Sequence, residues 1–179
     1  MRKEVIRIFE EANRVFLQNQ KNFILSGVSE RALCGELMKY LNIEKDKTEF
    51  STYHVDVEYN RNEGGKIKTI KNDKEKIINI TCDIIVHSRG ESKEQDNLIA
   101  IEMKKSTNTK IEKDKDKERL IALTKDTFDN IWSYDGETFP EHVCRYMLGV
   151  YYEINLKERI VEIEYYVKGA FKKGYSLEF

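Results

Sequence analysis

The tightest constraint on this chain is a pair of β-prone runs, IINITCDIIVH at 77–87 and NLIAIEMKK at 97–105, separated by the polar, glycine-containing SRGESKEQD. Such runs flanking a polar turn read as an antiparallel hairpin. Paired position numbers in a hairpin sum to a constant, about 184 to 185 for a loop centred near Ser92, so Asp83 is expected opposite Glu102 to within about a residue. Directly opposed side chains have Cβ atoms about 4.5–5.5 Å apart. Strand alternation puts Lys104 on the same face as Glu102. Two carboxylates this close repel unless a cation lies between them or one takes a proton.

Other segments place this hairpin in a larger fold. Val5, Ile6, Phe9, Val15 and Phe16 recur at helical spacing, and a second helix starts at Ser29 and carries Leu33, Leu37 and Leu41. Ser29 suits an N-cap. Glu30 lies on the stripe of Leu33 and Leu37 and so faces the protein body, whereas Glu36, about 120° around the helix, is expected in solvent. YHVDVEYNR at 53–61 alternates like a half-buried strand. The segment from Ile111 to Trp132 has helical spacing, and VCRYMLGVYYEI and RIVEIEYYV, joined by NLKE, form a second hairpin whose first strand is apolar on both faces and therefore central. The expected order is α-α-β-β-β-α-β-β, an α/β (α+β) fold with a mixed central sheet flanked by helices.

A length of 179 residues suits one domain. The expected organisation is a core over 29–168, with 1–28 as a helical extension. No run reaches the roughly 18 apolar residues of a membrane helix, and the N-terminus does not read as a secretory signal, so the expectation is a cytoplasmic protein. Cys34, Cys82 and Cys144 lack CxxC spacing and read as reduced core thiols. The net charge of −1 removes the simplest signature of a nucleic-acid binder. Local charge differs: Lys104 to Arg119 holds seven basic residues against four acids, and Lys66 to Lys76 holds five against two. A basic face and ordinary solvated surface fit these stretches equally well.

Asp83, Glu102 and Lys104 together suit phosphodiester hydrolysis. Paired carboxylates offer the hard oxygen ligands that Mg²⁺ prefers, and an ammonium can orient the attacking water or neutralise charge developing on the phosphate. An ordinary surface ion pair is the competing account of the same spacing. His87 lies about 13 Å along the strand from Asp83 and reads as a hydrogen-bonded structural histidine.

SER at 29–31, VDVEYNR at 55–61, CDIIVHSRG at 82–90 and NLIAIEMKKS at 97–106 resemble the PD-(D/E)xK, or restriction-endonuclease-like, nuclease superfamily, specifically its small, mostly uncharacterised bacterial and phage proteins. The resemblance implies an αβββαβ core and Mg²⁺-dependent cleavage of nucleic acid, DNA first, with Mn²⁺ able to substitute. It matches Asp83 to the motif aspartate, Glu102 and Lys104 to the (D/E)xK pair, and Glu30 to the helix glutamate. Catalysis would then fall to Asp83, Glu102, Lys104 and Glu30, and metal binding to Asp83, Glu102 and Glu30. Cys82 stands where the motif has proline. Arg61, Lys105, Lys113 and Arg119 are the candidate nucleic-acid contacts, and Asp116, Arg119 and Leu120 resemble a further family segment. A homodimer is compatible with the resemblance, although no interface is legible. A catalytically silent member that binds nucleic acid or protein is the alternative.

Overall fold

The computed structural model describes residues 2–59, 69–71, 77–79, 81–92, 94–126 and 144–179. Arg61, most of the Lys66–Lys76 stretch and the expected end of a helix at Trp132 lie outside the described residues.

Three helices open the chain: α1 (Arg2–Asn19), the short α2 (Lys21–Leu25) and α3 (Glu30–Asp46). α3 begins where the sequence places it. Ser29 is extended and its hydroxyl accepts the N–H of Ala32, satisfying a donor of the first turn. α1 and α3 pack on one face of a six-stranded mixed sheet, ordered β1-β4-β5-β6-β7-β8. Its strands are β1 (His54–Val57), β4 (Ile84–His87), β5 (Asn97–Lys105), β6 (Leu148–Asn155), β7 (Ile160–Val167) and β8 (Ala170–Glu178), while β2 (Thr69–Lys71) and β3 (Ile77–Asn79) form a separate hairpin. α4 (Lys110–Leu123) covers the other face. Its start is fixed by a capping box in which Thr109 and Glu112 exchange side-chain-to-backbone bonds.

β1, β4 and β5 are successively antiparallel. α4 then lies in the connection to β6, which runs parallel to β5. The main core lies between the sheet and α1/α3, where Phe9, Phe16, Leu37 and Leu41 have no exposed surface. Burying one such side chain stabilises the fold by roughly 1.5–3 kcal/mol. A second core, built from Ile85, Ala100, Leu120, Leu123, Tyr151 and Tyr166, joins the sheet to α4. β6 is central and almost wholly buried, as its apolar run requires.

Four expectations are corrected. α1 is part of the core, because Val5, Ile8, Phe9 and Ala12 face the sheet rather than extending beyond it. The run at 77–87 is two strands, and only Ile84–His87 belongs to the main sheet. The main-sheet ladder stops there with a side-chain acceptor, since Asp83 Oδ2 takes the N–H of Met103. α4 ends at Leu123, where the Thr124 hydroxyl bonds back to Leu120 O. β8, beyond the expected core, completes the sheet by pairing with β7.

Candidate active site

The β4–β5 register sets Ile84 opposite Ile101 and Ile85 opposite Ala100, a constant sum that extends to Asp83 opposite Glu102. Ile85 and Ala100 face α4. Alternation therefore puts Asp83, Glu102 and Lys104 on that face as well. Glu30, the first residue of α3, reaches the end of β5, where its Oε1 accepts the Lys105 N–H at 3.0 Å.

Of the four expected residues, Glu30 and Asp83 meet at the Lys104 ammonium, while Glu102 pairs with Arg119 instead. Lys104 Nζ lies 3.7 Å from Glu30 Oε2, 3.9 Å from Asp83 Oδ2 and 3.0 Å from Asp116 Oδ2. Asp83 is further fixed by its 2.7 Å bond from the Met103 N–H. The Glu102 side chain is only 1% exposed, and its nearest cation is Arg119, whose Nε lies 3.4 Å from Oε1. Glu102 Oε1 and Asp116 Oδ2 are both buried and are met by cations, Arg119 Nε and Lys104 Nζ, rather than by hydrogen bonds of good geometry. A buried carboxylate oxygen is costly unless such a cation offsets its lost hydration.

Asp116 and Arg119 are functional candidates that the sequence reading did not assign to this site. They sit one turn apart on α4, with Arg119 Nη2 donating to Asp116 Oδ1 at 2.6 Å. Besides the family-like segment it shares with Arg119 and Leu120, the signal for Asp116 is its position four residues before the buried Leu120, which turns it toward the sheet rather than outward with its charged neighbours.

Burial pushes the Glu102 carboxyl well above the usual carboxylate range, opposed by Arg119 and reinforced by Asp83 and Asp116. Burial also raises Asp83, against the pull of the Met103 N–H and Lys104. For Lys104, burial works to lower the pKa, but Asp83 and Asp116 outweigh it and hold the amine above its ordinary value. Four carboxylates (Glu30, Asp83, Glu102 and Asp116) thus surround two cations (Lys104 and Arg119), a deficit of two positive charges when all are ionised.

Among the described residues, no group of three or more His, Cys, Asp or Glu side chains is arranged to hold a metal ion. The donor chemistry nevertheless fits a hard divalent cation, since every carboxylate supplies oxygen and the buried Glu102 Oε1 is met only by Arg119 at 3.4 Å. A pocket of about 330 Å³ adjoins the site, lined by Glu30, Arg31, Val57, Glu58, Asp83 and Lys105 among others.

The remaining candidates are more ordinary. Lys113 Nζ pairs with Glu153 at 2.6 Å and donates to Ser106 O, and Arg119 is held by Asp116 and Glu102, so both cations are committed inside the chain. Lys105 Nζ donates to Gly27 O from an exposed position. His87 is buried, with Nε2 2.9 Å from Asp56 Oδ2, a structural bond of the kind expected. Glu36 is partly shielded rather than solvent-exposed, because it pairs with Lys39 one turn along α3. All three cysteines are buried and none forms a disulfide. No described helix is long and apolar enough to cross a membrane. Comparison with family models, with curated proteins and with solved structures finds no match.

Proposed function

We propose that this chain is a Mg²⁺-dependent nuclease of restriction-endonuclease-like architecture that hydrolyses phosphodiester bonds, with DNA as its substrate. The carrying observation is the convergence of Asp83 and Glu30 on Lys104, with the buried Glu102 opposite Asp83 in the β4–β5 register. Three antiparallel strands followed by a helix and a parallel strand support the αβββαβ reading.

Asp83, Glu102 and Glu30 would hold the ion. When bound, Mg²⁺ supplies charge that polarises a phosphate oxygen and makes a bound water more acidic. Lys104 acts through its charge: an amine held above its ordinary pKa stays protonated at neutral pH and suits stabilisation of negative charge on the reacting phosphate better than proton abstraction. Asp116 restrains that amine on the α4 side. Arg119 balances Glu102 from the same helix.

Hydrolysis of plasmid, single-stranded DNA and RNA by the purified chain tests this reading. Cleavage that needs Mg²⁺ or Mn²⁺ and falls by about two to four orders of magnitude in Lys104→Ala supports it. Equal inertness of both proteins on every substrate would overturn it. A catalytically silent nucleic-acid binder is the second reading, favoured by Lys104 itself neutralising part of the carboxylate cluster and by the lack of a ready three-ligand arrangement among the described residues. Salt-sensitive binding that survives Asp83→Ala and Glu102→Ala, without cleavage, would select it.

A further inference from the structure

Beside the carboxylate site, Arg31 and Glu58 pair across the pocket that Glu30 and Asp83 also line. The guanidinium Nη2 is 3.2 Å from Glu58 Oε2, and the side chains are 75% and 40% exposed. So open an ion pair contributes little to stability and is readily exchanged. Arg31 lies in the first turn of α3, immediately after Glu30. Glu58 follows β1, and its N–H donates to the Asp83 carbonyl at 3.1 Å, so its position is tied to the backbone of a site residue.

The Glu58 backbone is unusual. Its φ of 52° lies in the left-handed region, which is unfavourable for a residue with a side chain and persists only where surrounding contacts enforce it. The strained residue directs a carboxylate to the arginine beside the site. Arginine recognises phosphate bidentately, through the same planar donors that meet a carboxylate. The rest of the lining includes an exposed cation, Lys105, and the uncharged Val57 and Cys34.

We propose that Arg31 grips a backbone phosphate of the nucleic-acid strand beside the carboxylate site, and that Glu58 is its placeholder, giving up the guanidinium when the phosphate enters. This rests on the nuclease reading and adds to it a substrate-holding residue outside the carboxylate cluster. Glu58 also has a selective effect: its charge opposes a phosphate until Arg31 has turned to meet it, which weakens loose binding more than seated binding.

Equilibrium binding of labelled single-stranded and duplex oligonucleotides to the full chain, measured in EDTA over a range of salt concentrations, tests the proposal alongside KM and kcat for cleavage with Mg²⁺. Arg31→Gln is expected to raise Kd about tenfold whatever the sequence, to reduce the salt slope by about 1 and to raise KM with little change in kcat. Glu58→Gln is expected to lower Kd roughly two- to fivefold, the range an exposed ion pair allows. Both side chains are exposed, so both variants should fold, and unchanged melting curves would verify it. If the parent chain binds and cleaves while both variants keep its Kd, salt slope and KM, the Arg31 proposal is overturned and the nuclease reading stands. If the parent chain neither binds nor cleaves, the nuclease reading falls and this inference falls with it.

Discussion

Asp116 on α4 is the closest carboxylate to the Lys104 amine, at 3.0 Å from Nζ, nearer than the strand and helix acids that the motif spacing singles out. A helix that packs on the sheet through Leu120 and Leu123 therefore also sets where the Lys104 ammonium rests. The consequence can be measured. Asp116→Asn should lower kcat about tenfold and leave KM nearly unchanged, because the amine loses its anchor while the substrate-holding groups stay. Asp116→Ala should also destabilise the fold by about 3 kcal/mol, since it removes the partner of two partly buried cations. Steady-state kinetics and denaturant melts separate the two effects, and a fall in KM together with kcat would argue against an anchoring role.

Glu102 shows a conflict between stability and function. Its folded pKa is raised by burial, so the native state favours the protonated acid and the unfolded state ionises first. Between the ordinary glutamate value near 4.5 and the higher folded value, the native chain holds more protons, and stability falls as pH rises. Glu102→Gln should remove that slope and raise stability at neutral pH by an amount on the order of 1 kcal/mol, while abolishing metal-dependent cleavage. Melting curves from pH 4 to 8 in EDTA check the sign, and a variant less stable than the parent at neutral pH would contradict it.

The close approach of α4 to β6 depends on one glycine. A Cβ on Gly149 would sit 2.9 Å from Thr124 Cγ2 and 3.2 Å from Tyr166 Cβ, with Leu120 Cβ at 3.4 Å. Gly149→Ala should cost about 1–3 kcal/mol by overpacking. It should also lower activity, because α4 carries Asp116 and Arg119. A melting temperature equal to that of the parent would show that the helix can shift without cost.

What could be read from the sequence follows from how strongly each segment is patterned. The hairpin register was legible to within about a residue because the polar turn centred near Ser92 fixes the sum of paired positions, which brings Asp83 opposite Glu102. Glu30 was legible through the Ser29 cap, which fixes where α3 begins. β8 was not, because eight of its nine residues are exposed and its sequence lacks alternation. The turn before β8, Lys168-Gly169, takes left-handed φ values of 54° and 70°, yet Lys-Gly is a weaker turn signal than Asn-Gly. Asp116 was obscured for a different reason. It stands in KIEKDKDKER, where acids and lysines alternate, and only packing distinguishes the buried acid from its solvated neighbours.

The proposed metal dependence rests on a cluster of acids short of positive charge, a shortfall that a divalent cation would make up. Calorimetric titration of the metal-free chain with Mn²⁺, repeated on Asp83→Asn and Glu102→Gln, addresses this without requiring a substrate. Saturable binding to the parent chain, weakened at least about tenfold in each variant while both remain folded, is the predicted result. Binding that is absent from the parent chain, or equally strong in all three proteins, would contradict the metal-dependent mechanism.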